Sequence, residues 1–465
     1  MVVSRKKFIS GSILLIVLVL IIFYIFNDID MNGKSFLTIV GFSIIGILST
    51  LSIIKDARVI STNKFFWYFQ FVFMSIAPLC QYLSGYFPWG VRISESDIEI
   101  GVFLTIVWDI VYLLSYGKRG RRIKRGTIGR KLKDLELGNR DYSRPFLIIV
   151  FLSSILGFAL LVKMIGFYNL FFRSENMLDI ENSTINFIVR KLLTALPAMV
   201  CAMFMLTYKR RKSPLLLVGI ISLIAIAICA NFPTSTTRYW MGTIFIGIAM
   251  IATIQRKESR IVDYGIVFGL LVAFPLFYIF KTMTIEDLFN GNVNFGGIVN
   301  SFNTVDFDAF TIMARSIRYV RENGITWGNQ LLNIILFFIP RGIWKNKPIT
   351  TNVLIASAQN QRFTNLSCPL TAEGYVNFGI VGLVLYCIVY AKINRALDDM
   401  YWENSDDSKI NIINIVYPFL CVITLYINRG PLQPAFIQTI ALILPLIIIN
   451  FFNKTIKTGK NNYEE

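Results

Sequence analysis

Residues 8–26 read FISGSILLIVLVLIIFYIF, nineteen positions without one charged side chain. An α-helix of that length rises about 28 Å, close to the roughly 30 Å of bilayer hydrocarbon. In hydrocarbon a single segment satisfies its backbone N–H and C=O groups only as a helix, so the stretch is read as a membrane span. Arg5, Lys6 and Lys7 precede it, which would also suit a signal peptide. The run is longer than the apolar part of such a peptide and no small-residue cleavage site follows, so the expectation is an uncleaved first span.

The same pattern recurs down the chain. Apolar blocks lie at 36–54, 65–83, 99–116, 145–164, 187–207, 214–231, 238–254, 262–280, 374–391, 411–427 and 434–452, separated mostly by short charged loops. Apolar residues make up 55% of the 465, above the roughly 45–50% of soluble domains, and no stretch has the composition of a separate soluble domain. The expectation is an all-α polytopic membrane protein with about twelve transmembrane helices, a single integral membrane domain over 1–465 surrounded by membrane lipid. Pro197 and Pro275 fall inside spans and are expected to kink them.

Lys and Arg set the orientation, because they are retained on the cytoplasmic side. With the N-terminus inside, the cytoplasmic loops receive Lys55, Arg58 and Lys64, the basic loop 118–144, the turn Lys209 to Lys212, and Arg256, Lys257 and Arg260. The opposite side receives Asp28, Asp30, Glu95, Asp97, Glu175, Asp179 and Glu181. The loop 392–410 is net acidic, but acidic residues weigh little in this rule. Both termini are therefore expected to be cytoplasmic. The net charge of +18 follows from this topology. Lys118, Arg119, Arg121, Arg122, Lys124 and Arg125 have no interleaved aromatics and adjoin a span, which suits anionic lipid headgroups and not nucleic acid.

The chain has no histidine, which excludes a Ser-His-Asp triad, a histidine base and a histidine metal ligand. Proton transfer must fall to Asp, Glu, Tyr or Lys. Five of the six cysteines, at 80, 201, 229, 387 and 421, lie in apolar spans and Cys368 lies in a loop, so neither a disulfide framework nor a zinc pattern is present. Asp306 and Asp308 form an Asp-x-Asp pair, which by itself does not define a metal site; each also suits a capping or solvated role. No metal and no cofactor is expected.

One external loop, 281–373, runs to roughly ninety residues, a length that tends to be functional. Residues 308–323 have helical spacing, and the apolar run 331–339 is too short to span, as in an interfacial or re-entrant helix. Basic residues gather on this external face against the topology rule. Arg238 ends NFPTSTTR (231–238), Arg341 opens RGIWKNKP (341–348) with Lys347 inside it, and Arg429 lies in NRGP (428–431). A single arginine at a span end commonly snorkels to headgroups. Three of them together suit a diphosphate, which guanidinium binds bidentately without losing its own charge. At the outer leaflet a diphosphate is the activated end of a lipid-linked sugar. Lys347 suits either a phosphate contact or a solvated loop.

Glu373 lies in AEGYVNFG (372–379), where the long loop enters a span. Partial desolvation there suits a general base for a sugar hydroxyl attacking an anomeric carbon; a structural pair with one of the arginines is the alternative. Asp109 lies within a span, a functional hypothesis by default, though its nearness to the basic loop favours an ion pair.

The Ser/Thr-rich turn ending in Arg238, the segment Phe338-Ile339-Pro340-Arg341 to Lys347-Pro348, the Glu373-Gly374-Tyr375-Val376-Asn377 segment and the Asn428-Arg429-Gly430 turn together resemble the Wzy-type oligosaccharide repeat-unit polymerases of O-antigen and capsule synthesis. The likeness covers the chain in outline, through span count, topology and one late external loop. It implies a GT-C-like fold in the bacterial cytoplasmic membrane. It also implies a metal-independent glycosyltransferase that joins undecaprenyl-diphosphate-linked repeat units at the outer face, for O-antigen, capsule or exopolysaccharide. By that resemblance Arg238, Arg341, Lys347 and Arg429 would hold the diphosphate, with Arg341 and Glu373 catalytic and Tyr375 and Asn377 positioning the sugar. A chain-length regulator and a flippase would be partners. A ligase of the same superfamily is an alternative, disfavoured by the missing histidine. A flippase or transporter of lipid-linked oligosaccharides is another, disfavoured because the notable charges sit at the external rim and not inside the spans.

Overall fold

A computed structural model describes residues 33–90, 92–117, 142–172, 184–253, 261–269, 302–403 and 410–461. The described residues are helical throughout, with no strand among them. In chain order the helices are α1 Phe36–Lys55, α2 Thr62–Phe69, α3 Ala77–Ser84, α4 Glu95–Gly117, α5 Arg144–Ile165, α6 Phe167–Phe171, α7 Thr184–Arg210 and α8 Pro214–Ala230. They continue as α9 Arg238–Thr253, α10 Ile261–Phe268, α11 Ala309–Asn323, α12 Asn329–Ile335, α13 Thr351–Ala358, α14 Leu370–Glu403, α15 Ile412–Arg429 and α16 Leu432–Asn461.

Seven of these, α1, α4, α5, α7, α14, α15 and α16, are long and apolar enough to cross a membrane. Each coincides with an expected span. Two further expected spans fall on the shorter apolar helices α8 and α9. The block 65–83 becomes a helical run in three pieces, α2 and α3 joined by the wider π-turns of Gln70–Ile76. The first block, 8–26, and most of 262–280, including Pro275, lie outside the described residues. Pro197 does sit inside a helix, α7.

Local sequence explains the ends. Ser61 caps α2 by accepting from Lys64 N, Ser143 caps α5 by accepting from Phe146 N, and Pro214 opens α8, where no N–H partner is needed. On α5, Ile148, Leu152, Leu156 and Leu160 recur every fourth residue and are all exposed, an apolar stripe on one helix face. A stripe of that kind is stable against lipid and not against water.

Two cores hold the bundle. One joins α1, α2, α3, α4, α11 and α14, with Phe66 stacked on Tyr112 and Phe310 edge-on to Phe42. The other joins α5, α7, α8, α9, α15 and α16 around Trp240, Phe204 and Phe419. At one end of the first core the buried Asp398 of α14 accepts from Thr62 N at 2.9 Å, Thr62 Oγ1 at 2.8 Å, Tyr116 Oη at 2.7 Å and Tyr417 Oη at 2.6 Å. Arg58 approaches it at 3.4 Å and pairs with Asp56 at 2.8 Å. That node ties four segments at one end of α14; Glu373 lies at the other.

Within 281–373 the described residues form α11, α12 and α13 joined by turns. The expected 308–323 helix is α11, and the run 331–339 forms α12 followed by turns. α14 is broken inside: Phe378 is at φ −145°, ψ 22° and Gly379 at φ +64°, ψ −147°. The break folds the helix so tightly that a Cβ on Gly382 would meet the Gly374 carbonyl oxygen.

Candidate functional site

The break in α14 builds the site. It interrupts the helical hydrogen bonds around residues 373–377, and neighbouring groups take over. Val376 O accepts from Thr326 N at 2.9 Å. Asn377 donates its side-chain N–H to Glu373 O at 2.8 Å and accepts from Leu331 N, in the first turn of α12, at 3.2 Å. One buried carboxamide therefore clamps α12 to α14 and fixes Glu373 between them. This gives Asn377 a scaffolding contact where sugar positioning was expected.

Glu373 is 1% exposed. Its Oε2 accepts from Thr351 Oγ1 of α13 at 2.5 Å, and its Oε1 accepts from Leu432 N at the start of α16 at 3.1 Å. Thr351, Leu432 N at the start of α16 and the Cys368 thiol offset part of the cost that burial places on the charged carboxylate. Glu373 borders a closed crevice, too narrow as it stands to admit water, lined also by Gln330, Asn333, Ile334, Thr350, Thr351 and Gln433. Asn333 and Gln433 are bonded to each other at 3.0 Å, and Gln330 Oε1 is buried without a partner among the described residues. The lining is thus amide, hydroxyl, one carboxylate and the apolar Ile334, with no cation among these residues. The Cys368 thiol also hydrogen-bonds this carboxylate.

Two of the three arginines come together. Arg429 donates from Nε to Asp306 O and from Nη2 to Val305 O and Asp308 Oδ1, each at 3.0 Å, and lies 4.9 Å from the centre of the Tyr239 ring. Arg238, the first residue of α9, pairs with Asp306 Oδ2 at 2.8 Å and keeps 52% of its side chain exposed. Both guanidiniums therefore sit on the 305–308 turn. The turn 428–432 links this pair to the crevice: Cys368 N donates to Arg429 O at 2.9 Å, and Leu432 N reaches Glu373.

Arg341 and Lys347 do something else. Arg341 donates to Lys347 O at 2.7 Å and Pro348 O at 3.4 Å, and Lys347 Nζ donates to Phe337 O at 2.8 Å and Ile339 O at 2.9 Å. They close the 337–348 loop on itself and share no partner with Arg238 or Arg429. Burial and the neighbouring Arg341 charge push the Lys347 ammonium below its ordinary range. Tyr375 lies beside the Arg321–Asp97 pair and does not border the crevice.

Asp306 and Asp308 serve as counter-ions to arginine, and among the described residues no group of His, Cys, Asp or Glu could hold a metal ion. Asp109 is fully buried, and neither of its oxygens has a partner among the described residues. The ion pair expected for it is absent there, and the loop 118–141 lies outside them. Comparison with protein-family models, curated proteins and solved structures finds no match.

Sequence reasoning missed Gln330, Asn333, Thr351 and Gln433, which carry neither charge nor motif. The one available signal was their cost: amides and hydroxyls beside apolar runs need partners.

Proposed function

We propose that the chain is a membrane glycosyltransferase that polymerises lipid-diphosphate-linked oligosaccharide repeat units at the outer face of a bacterial cytoplasmic membrane. The observation that carries this reading is the buried carboxylate of Glu373 in a crevice of neutral hydrogen-bonding side chains, one turn of chain away from paired arginines. Amides and hydroxyls suit a polyol, and two guanidiniums suit a diphosphate. A GT-C-like architecture belongs to the same proposal.

In the proposed step a sugar hydroxyl of the acceptor unit donates its proton to Glu373 while its oxygen attacks the anomeric carbon of the donor. The bond from that carbon to the diphosphate oxygen breaks, and the lipid diphosphate leaves with the electron pair. Arg238 and Arg429 stabilise the developing charge. Arg238 exchanges its exposed contact with Asp306 for the substrate, at small cost because exposed ion pairs are worth little. Arg341 and Lys347 enter as braces of the loop beside the crevice, where Phe337 packs on Phe436 of α16.

The test uses the protein in vesicles supplied with a lipid-diphosphate repeat unit. A ladder of lengthening lipid-linked glycans supports the proposal. Movement of the unit across the bilayer without any ladder contradicts it and favours a flippase.

A further inference from the structure

α11 carries a second arginine site that the proposed chemistry does not use. Arg315 is 1% exposed, and its Nη1 and Nη2 are both buried without a partner among the described residues. Its Nε donates to Gln359 Oε1 at 2.5 Å, and Gln359 returns a bond to Arg315 O at 3.0 Å. The amide thus holds the guanidinium by its inner edge and leaves the outer fork open. No acid among the described residues bonds it. Asp308, the carboxylate whose charge acts on Arg315, is committed through Oδ1 to Arg429 and through Oδ2 to Trp89 Nε1 and Ser367 N. Arg318 adds a like charge.

A buried guanidinium with four of its five N–H donors unmet among the described residues is costly, and an apolar side chain of similar size would serve packing better. Desolvation is strong enough to push the group down to about 10. The neighbouring polar atoms are also unmet. Thr311 precedes Arg315 by four residues on the same face of α11, and its hydroxyl, like that of Ser367, is buried without a partner among the described residues. Ser367 is fixed near the start of α11 through Asp308. The seam therefore offers two NH2 groups and two hydroxyls, and Asp308 is already spent.

The cover over this seam is thin. Beyond Gln359, residue 360 and residues 362–365 are exposed, and Asn360 turns the chain at φ +52°, a left-handed position that a non-glycine residue adopts at some cost.

We propose that Arg315 anchors an oxyanion site beneath the 359–365 turn, taking the paired oxygens of a carboxylate or phosphate on its open fork, with Thr311 and Ser367 as hydroxyl donors. Bidentate guanidinium geometry fits both acids. The site stands apart from Glu373 and does not rest on the polymerase reading.

The test is thermal unfolding of the purified full chain in detergent, titrated with phosphate or with acetate against chloride at equal ionic strength and pH. The wild type is expected to gain a saturable rise in Tm with at least one of the two; the anion giving the larger rise identifies the ligand's acid group. Arg315→Met loses the rise. Arg315→Lys, which keeps the charge without the fork, binds about tenfold more weakly or worse, and answers the question alone if Arg315→Met does not fold. Arg318→Met, on the exposed face of the same helix, behaves as wild type. A wild type that gains nothing over chloride, or an Arg315→Met or Arg315→Lys protein that keeps the full rise, overturns the proposal.

Discussion

The backbone N–H of Leu432 donates to Glu373 Oε1 at 3.1 Å, so the first turn of α16 ends on the one carboxylate of the crevice. Leu432 follows Arg429 by three residues, and Arg429 holds the 305–308 turn. Carboxylate and guanidinium are thereby fixed by a single short stretch of backbone. Rigid placement of this sort is what proton abstraction coupled to leaving-group departure requires.

Asn377→Ala removes the clamp between α12 and α14. It leaves Leu331 N and Glu373 O without their buried partner, a loss of about 1–3 kcal/mol. A fall in Tm, with a larger loss of glycan extension than of expression, is the expected result. Unchanged melting would show that the clamp contributes nothing.

Gly379→Ala forces a Cβ onto a backbone at φ +64°, ψ −147°, a region that costs a non-glycine residue about 1–3 kcal/mol. Destabilisation of that order should appear in thermal unfolding. A neutral substitution would mean that α14 is not broken there.

Arg238→Ala should leave stability within about 1 kcal/mol, because its pair with Asp306 is largely exposed. It should lower kcat/KM for the lipid-linked donor by about tenfold to a hundredfold, the worth of a charged hydrogen bond. Arg429→Ala should instead destabilise the fold, since it strips the buried Asp308 of its cation. Equal effects of the two substitutions on melting would contradict this division.

Asp56 gives a pH test. Burial pushes its carboxyl up, but the hydrogen bond and charge of Arg58, with donors from Ser61 and Asn63, outweigh burial and hold it below its ordinary value. A carboxyl lowered by folding adds stability above its unfolded value, about 3.9, that is lost as pH falls through the folded value. Wild type should therefore melt above Asp56→Asn at neutral pH, with the gap closing below about pH 4. A gap independent of pH would remove the charge from the explanation.

Much of the bundle was legible because hydrocarbon thickness dictates helix length, so apolar blocks such as 145–164 and 411–427 mark α5 and α15 directly. The helix 308–323 was legible from its spacing. The break at Gly379 was not, because AEGYVNFG carries no proline and glycine is common in membrane helices. Arg238, Arg429 and Glu373 stood out by charge on an unfavoured side or at a boundary. The fate of Arg341 and Lys347 was invisible, since their partners are backbone carbonyls within their own loop and no residue type signals that. The Asp398 node was equally hidden: its donors come from residues 62, 116 and 417, far apart in sequence.

Glu373→Gln tests the central proposal most directly. Glutamine can accept from Leu432 N and still bond Thr351, so the fold should hold while the base is lost. The measurement is lipid diphosphate released per glycosidic linkage formed, in vesicles carrying the repeat unit. The wild type should release one for each linkage, and Glu373→Gln should cut the rate by about a hundredfold or more with Tm nearly unchanged. Release and ladder formation at the wild-type rate in Glu373→Gln would contradict the role of Glu373 as the base.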